Sequence, residues 1–239
     1  MNFLKQLVEK FKEISYNNSI MNFKRITIIS GHYGSGKTNI AVNLAIDLKK
    51  QRDKVAIADI DIVNPYFRSK DSEELFKNYD IRLICSEYAN TNLDVPSIPQ
   101  EIYAVTDDKE MYSILDVGGD ERGALALGRL APIINEENNY DMFYVVNKFR
   151  PLTRDVKSAI EVMNEIESAC KIKFTGIINN SNLGKETTKQ DIINSLDFAK
   201  ELSCQTNLPL IFTSVDEKLY GELKNEIKLL YPLKMQKKL

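Results

Sequence analysis

The feature that most constrains the fold of this chain is a short apolar segment that leads directly into a glycine-rich loop. Residues 25–30 are Arg-Ile-Thr-Ile-Ile-Ser, residues 31–38 have the spacing G-x-x-x-x-G-K-[ST], and a helical run follows to residue 50. Successive main-chain N–H groups in such a loop, and the start of the following helix, point at phosphate oxygens. The pattern therefore predicts a strand, a phosphate loop (residues 31–38), a helix, and a nucleoside-triphosphate site between them.

Each residue type in the phosphate loop has a predicted part in that site. Glycine lets the backbone turn where a side chain would clash. Lys37 is expected to neutralise the β- and γ-phosphates, and the Thr38 hydroxyl is expected to hold Mg²⁺. The predicted nucleotide contacts here are Gly31, His32, Tyr33, Gly34, Ser35, Gly36, Lys37, Thr38 and Asn39.

Composition limits the class of protein further. A chain of 239 residues with 43% hydrophobic and 28% charged residues suits one soluble domain with a sizeable core. The formal net charge of −2 gives no reason to expect nucleic-acid binding. No apolar run approaches the ~18 residues of a membrane span, so membrane association is not expected. Three widely separated cysteines predict buried thiols in a reducing compartment, and we expect a cytoplasmic protein.

The chain divides into an N-terminal amphipathic helical extension, residues 1–23, and a phosphate-loop nucleotide-binding domain, residues 24–239. Apolar side chains follow helical spacing in the extension. They are Phe3, Leu4, Leu7, Val8, Phe11 and Ile14. This apolar stripe is expected to pack on its own domain; contact with a membrane surface or a partner is the alternative.

Apolar runs alternate with amphipathic helical runs along the rest of the chain, which predicts parallel strands joined by helices. The expected fold is α/β: a three-layer phosphate-loop NTPase fold with a mostly parallel sheet of about seven strands flanked by helices. Strands are predicted near 25–30, 54–59, 81–86, 111–116, 140–147, 174–179 and 208–213. Helices are predicted near 37–51, 121–134, 153–169, which Thr153 would cap, 186–203 and 216–230.

Two segments leave alternatives open. Residues 62–110 contain prolines and asparagines that interrupt regular structure, and form either a substrate or partner surface or a plain surface loop. The last helix carries leucines and isoleucine at helical spacing up to Leu233, with Pro232 interrupting it and lysines beyond. It is expected to close the core, and a basic membrane-binding tail is the alternative.

Acidic residues follow two of the predicted strands. Asp116 and Gly119 have the spacing D-x-x-G, which suits a carboxylate on an Mg²⁺-bound water and a glycine N–H on the γ-phosphate. Asp59 and Asp61 end the second strand and point to the same side. We assign Asp59 to the magnesium shell and Asp61 to orienting or deprotonating the attacking water. Two solvated loop carboxylates are the alternative for this pair.

The order of these motifs resembles that of the MinD/ParA-like ATPases, which are grouped with cobyrinic-acid-synthase-type and nitrogenase-iron-protein-type domains in the SIMIBI class. The resemblance covers roughly residues 24–230 and depends on the phosphate loop, Asp59 to Asp61, and Asp116 to Gly119. It implies a mostly parallel sheet, ATP with Mg²⁺ as cofactors, and nucleotide-dependent pairing of two subunits.

The chain departs from this family within the phosphate loop. His32 stands where the family carries a lysine that reaches the partner's phosphates, and Tyr33 replaces a glycine. A neutral imidazole supplies no fixed positive charge. His32 is therefore either a contact to phosphate or to a partner, or a loop residue with no catalytic role.

Two segments bear on the choice of base. Residues 147–150 resemble the guanine-reading N-K-x-D pattern of GTPases except that Arg150 cannot accept the guanine N–H groups, so ATP is expected. The sixth strand ends in Asn179 and Asn180, where the resemblance implies that Asn179 contacts adenine. Asn180 is the neighbouring alternative, and a polar pair that merely ends the strand is the third.

The sequence thus predicts an Mg²⁺-dependent ATPase whose nucleotide state controls association with a protein partner, a second copy of the chain included. Arg68, Arg122 and Arg150 are candidates to stabilise a transition state. A biosynthetic ligase or kinase that acts on a small carboxylate, and a noncatalytic nucleotide sensor, are the alternatives.

Overall fold

The fold is built on parallel strands, which are continuously apolar because helices cover both faces of the sheet. The computed structural model describes residues 21–60, 70–85 and 100–234. Its strands are β1 Ile26–Ser30, β2 Val55–Ile60, β3 Arg82–Ile84, β4 Tyr112–Val117, β5 Tyr140–Val146, β6 Gly176–Asn179, β7 Leu210–Asp216 and β8 Leu230–Leu233. Their order across the sheet is β3-β2-β4-β1-β5-β6-β7-β8, and every pair in that order is parallel.

Helices connect these strands. They are α1 Lys37–Lys49, α2 Lys70–Asn78, α3 Ala104–Asp107, α4 Glu121–Gly128, α5 Ala131–Glu137, α6 Val156–Cys170, α7 Lys189–Thr206 and α8 Glu217–Leu223. Short 3₁₀ turns lie at Gln100–Tyr103, Pro151–Thr153 and Gly184–Glu186. The expected three-layer α/β architecture is confirmed, with eight described strands where about seven were predicted.

The strands bury side chains on both faces. Ile28 of β1 packs in a core with α4, α5, α6 and α7, whereas the adjacent Ile29 packs in a second core with α1 and α2. This alternation follows from the period of two residues along a strand. Because the strands are parallel, their carboxyl ends meet at one edge of the sheet, and β1 enters the phosphate loop there.

The largest difference from the sequence prediction lies at the C-terminal end. The predicted helix 216–230 stops at Leu223, and residues 230–233 form the edge strand β8. An edge strand tolerates Pro232 because one side of it needs no ladder hydrogen bond. Tyr231 stacks on Phe212 of β7 with ring centroids 4.6 Å apart, which holds the strand in the sheet.

Local polar chemistry explains further corrections. The predicted helix 121–134 is two helices, and Pro132 stands in the first turn of α5. The Asp155 carboxylate caps α6 by accepting from the Ser158 N–H, while the predicted cap Thr153 lies in the preceding 3₁₀ turn. The segment 62–110 is not irregular throughout, because it contains α2, β3 and α3.

Other predictions concern the burial of the cysteines and segments at the two ends of the chain. Of the three cysteines predicted to be buried, Cys170 is buried, Cys85 is half-buried and Cys204 is exposed. The predictions for residues 1–20, for the tail beyond residue 234 and for Asp61 and Arg68 concern residues outside those that the structure describes. Within the described part of the chain, no helix is both long and apolar enough to cross a membrane.

Candidate functional site

The phosphate loop joins β1 to α1 at the carboxyl edge of the sheet. Gly36, which precedes the first residue of α1, has φ +88°, a left-handed conformation that favours glycine. No side chain caps this helix end. The first amides of a helix lack intrahelical partners and carry its partial positive charge, so the N-terminus of α1 presents donors to an anion.

Lys37 places its ammonium inside this loop. The side chain is buried, and its Nζ donates to the main-chain carbonyl of His32 at 3.2 Å. Gly119 lies against the same place: a Cβ there would be 2.7 Å from Lys37 Nζ and 2.4 Å from the main-chain N of Tyr33. Residues after β4 therefore contact the phosphate loop through a glycine that no larger residue could replace without movement.

Two carboxylates stand beside the loop at the ends of neighbouring strands. Asp59 of β2 pairs in register with Asp116 of β4, and both are buried. Each lies two residues beyond an isoleucine that packs in the α1 core, so both point toward the face that carries α1. The Thr38 hydroxyl donates to Asp116 Oδ2 at 2.6 Å.

This oxygen set suits Mg²⁺. Hydroxyl and carboxylate oxygens are the protein ligands that Mg²⁺ prefers, and it keeps several waters and nucleotide oxygens as its other ligands. Among the described residues, no group of three or more His, Cys, Asp or Glu forms a metal site by itself. Thr38, Asp59 and Asp116 therefore fit a magnesium ion that arrives with a nucleotide.

The other side of the phosphate loop is braced by residues that follow β5 and β6. Asn180 Nδ2 donates to the Ser35 carbonyl at 2.7 Å, and Asn180 Oδ1 accepts from the Ser214 hydroxyl. Arg150 Nε donates to the Gly34 carbonyl at 2.8 Å. These braces were not predicted, because the spacing of 116 and 145 residues leaves no local signal.

Asn179 occupies a different position from its neighbour. It is fully buried, its Nδ2 donates to Ser195 and Thr213, and its Oδ1 accepts from Ser181. A contact to adenine requires this amide to exchange one of those partners. The adenine role of Asn179 therefore stays a prediction.

The two residues that depart from the resemblance lie at the surface of the loop. The Tyr33 side chain is 63% exposed. His32 is partly exposed, and its Nδ1 lies 3.1 Å from the main-chain carbonyl of Tyr33. Asn39, in the first turn of α1, buries Oδ1 without a hydrogen-bond partner among the described residues.

The structure brings the predicted loop residues together with Asp59, Asp116 and Gly119. Thr38 bonds to Asp116, Asp59 pairs in register with Asp116, and Gly119 lies against Lys37 and Tyr33.

Comparisons with solved structures agree with this architecture. The cell division protein FtsY of Thermotoga maritima is 17% identical with a TM-score of 0.55, covering 89% of this chain and 70% of that protein. FtsY of Mycoplasma mycoides is 19% identical with a TM-score of 0.55, covering 89% and 69%. The signal recognition particle receptor FtsY of Elizabethkingia anophelis, solved with GDP, is 13% identical with a TM-score of 0.50, covering 82% and 59%. Identities this low show the fold alone.

Sequence comparisons assign the family. None of the curated proteins matches this chain. The family model of the CobQ/CobB/MinD/ParA nucleotide-binding domain matches residues 26–196, which is most of the chain and includes the phosphate loop, Asp59 and Asp116. This protein therefore belongs to the CobQ/CobB/MinD/ParA nucleotide-binding domain family, with histidine where the MinD/ParA signature has lysine.

Proposed function

We propose that this protein binds ATP with Mg²⁺ and hydrolyses it, and that the nucleotide state controls its association with a partner. The observation that carries the proposal is the convergence at the start of α1. Three features lie together at the carboxyl edge of the sheet. They are the uncapped N-terminus of α1, the buried Lys37 ammonium, and the hydrogen bond between Thr38 and Asp116. Family membership supports nucleotide binding independently of that geometry.

The residues of the chain have separate tasks in this proposal. Main-chain amides of the phosphate loop hold the phosphates, and Lys37 exchanges the His32 carbonyl for β- and γ-phosphate oxygens. Thr38, Asp59 and Asp116 hold the metal shell. Bound Mg²⁺ neutralises phosphate charge and polarises the γ-phosphoryl group. Asp61, which lies outside the described residues, orients or deprotonates the attacking water.

Gly119 supplies the coupling to nucleotide state. It lies against Lys37 and Tyr33, and the γ-phosphate of a bound ATP would lie beside the same residues. The contact of Gly119 with Lys37 and Tyr33 therefore changes when ATP binds, and the Gly119 N–H then contacts the γ-phosphate. Because Asp120 caps α4, a shift of Gly119 is transmitted to that helix.

The rim of the site supports partner binding. Among the described residues, four exposed hydrophobic side chains follow the carboxyl ends of β1, β4, β5 and β6, the ends that form the edge of the site. They are Tyr33, Leu125, Leu152 and Leu183. A movement of α4 changes the position of Leu125 in this set, so a partner at the rim can sense the nucleotide. A second copy of the chain is the first partner to test.

We propose ATP as the physiological nucleotide and the cytoplasm as the location. Arg150 has no acceptor for guanine N–H groups, whereas the GDP bound to the Elizabethkingia FtsY is a property of that protein. Among the described residues the cysteines form no paired site, which suits a reducing compartment.

Nucleotide binding and phosphate release test the proposal directly. The wild type binds Mg-ATP and releases phosphate, Lys37→Ala loses binding, and Asp61→Ala binds ATP but stalls. Lys50→Ala is the matched control, because this exposed lysine follows the last residue of α1 and pairs, among the described residues, with Asp47. Equal phosphate release from all variants would remove the assignment as an ATPase, and binding without turnover would favour the sensor.

Partner association is tested with the Asp61→Ala variant, which holds ATP. Light scattering with ATP and with ADP measures its mass in solution. A mass that doubles with ATP only, and that Tyr33→Ala returns to one chain, supports pairing at the rim. A single-chain mass in both states would contradict pairing with a second copy.

A further inference from the structure

Arg150 is fixed against the phosphate loop from both its main chain and its side chain. Its N–H donates to the Asn147 carbonyl at 3.0 Å, and its carbonyl accepts from the Thr153 N–H at 3.1 Å. Its Nε donates to the Gly34 carbonyl at 2.8 Å. A tight turn after β5 therefore delivers the guanidinium to one position on the loop.

The rest of the guanidinium is available to a ligand. A Cβ on Gly34 would lie 3.2 Å from Cζ of Arg150, so the group packs directly on the main chain of that glycine. The Gly34 carbonyl is its hydrogen-bond acceptor, and among the described residues Nη1 and Nη2 have no protein acceptor. The side chain is exposed. Four N–H groups and a planar face therefore border the loop.

The strand order indicates which part of a bound nucleotide lies on the β5 side of the phosphate loop. β1 lies between β4 and β5 in the sheet. Asp116 and Gly119, which mark the metal and γ-phosphate end, follow β4, and Arg150 follows β5. A triphosphate whose γ end lies toward β4 must carry its nucleoside toward β5 and β6.

We infer that Arg150 is a nucleoside-binding residue, whose guanidinium plane lies against the base of the bound nucleotide while Nε stays on Gly34. The inference rests on the proposed function. A guanidinium stacks on aromatic faces through cation–π and planar contact. Arg150 thus contributes affinity for a nucleoside, and it does not stabilise charge on the γ-phosphate.

Two ligands separate these roles, namely Mg-ATP and Mg-tripolyphosphate, which has the phosphate chain without a nucleoside. Calorimetric titration of Arg150→Gln should show ATP affinity lower by about tenfold, the value of one partly desolvated cation–π contact. Tripolyphosphate affinity should equal that of the wild type. Equal losses for both ligands would overturn the inference, because they would place Arg150 on the phosphates or show only a loosened loop.

Arg154→Gln is the matched control, because this exposed arginine lies four residues further along with its Nε 3.7 Å from Asp155 Oδ2. It should bind both ligands as the wild type does. Unchanged ATP affinity in Arg150→Gln would overturn this inference but not the proposed function. A wild type that binds neither ligand would overturn the proposed function as well, so the two failures are distinguishable.

Discussion

Removal of the Asn180 side chain is predicted to destabilise both the fold and the phosphate loop. Asn180 is buried and bridges two groups that are distant in sequence, donating to the Ser35 carbonyl at 2.7 Å and accepting from the Ser214 hydroxyl. Asn180→Ala leaves the buried Ser35 carbonyl without this donor, whereas the Ser214 hydroxyl keeps the Asn179 carbonyl as an acceptor at 3.3 Å. The unpaired carbonyl costs roughly 1–3 kcal/mol and the lost bond to Ser214 roughly 0.5–1.5 kcal/mol, so we expect the free energy of unfolding to fall by about 2–4 kcal/mol.

Urea denaturation and thermal melting measure this change. For a chain of this size each kcal/mol shifts Tm by about 2–4 °C, so the melting temperature should fall by about 5–15 °C. Asn180→Asp keeps the volume and the acceptor for Ser214 but places an oxygen against the Ser35 carbonyl. It should therefore lose at least as much stability at neutral pH as the alanine variant.

Asn135→Ala is the matched control for this prediction. Its Nδ2 also donates to a main-chain carbonyl, that of Lys171 at 3.0 Å, but the residue is exposed. Because water replaces the lost partner, its cost should stay within about 0.5 kcal/mol. Equal losses for Asn180→Ala and Asn135→Ala would refute the argument that burial of the brace makes it important.

Further predictions concern three other contacts. The Arg25 guanidinium holds the pKa of Glu137 below its usual range, so this pair stabilises the fold above about pH 4.5 and loses its effect as pH falls through the lowered value. Glu137→Ala should cost about 3 kcal/mol at pH 7 and progressively less below pH 4.5 in urea titrations; a pH-independent cost would contradict this. Gly119→Ala should lose phosphate release, because its Cβ would lie 2.4 Å from the main-chain N of Tyr33 and 2.7 Å from Lys37 Nζ; wild-type turnover would contradict the close approach. Tyr144→Phe removes the hydroxyl that donates to the buried Ala159 carbonyl of α6 and should cost about 1 kcal/mol by chemical denaturation, whereas no cost would show that the helical hydrogen bond alone satisfies this carbonyl.

The phosphate loop and the metal carboxylates could be predicted because their signals are local. An apolar strand, a fixed glycine spacing and a lysine-threonine pair specify the loop within residues 25–38. Asp59 and Asp116 each end an apolar run, and parallel strands bring such ends to one edge. The sequence alone does not show that β2 and β4 are neighbours, and therefore not that the two carboxylates pair in register.

Contacts between distant residues could not be predicted in this way. Arg150 and Gly34 are separated by 116 residues. The sequence indicates that Arg150 cannot accept guanine N–H groups and that it is a candidate to stabilise a transition state, but it does not indicate a contact with the phosphate loop. The helical spacing of Leu223, Leu230 and Leu233 was misleading, because β8 forms where Tyr231 can stack on β7. Tertiary packing outweighs local periodicity in a segment this short.

The proposed function requires that the amides of the phosphate loop and the ammonium of Lys37 hold the phosphates of Mg-ATP. Hydrogen exchange of peptides that cover residues 31–38, measured with and without Mg-ATP, tests it most directly. We predict slower exchange in these peptides and in those that contain Gly119 for the wild type, and no change for Lys37→Ala. Unchanged exchange of residues 31–38 in the wild type, or slower exchange with Mg-ATP in Lys37→Ala, would contradict this role of the phosphate loop.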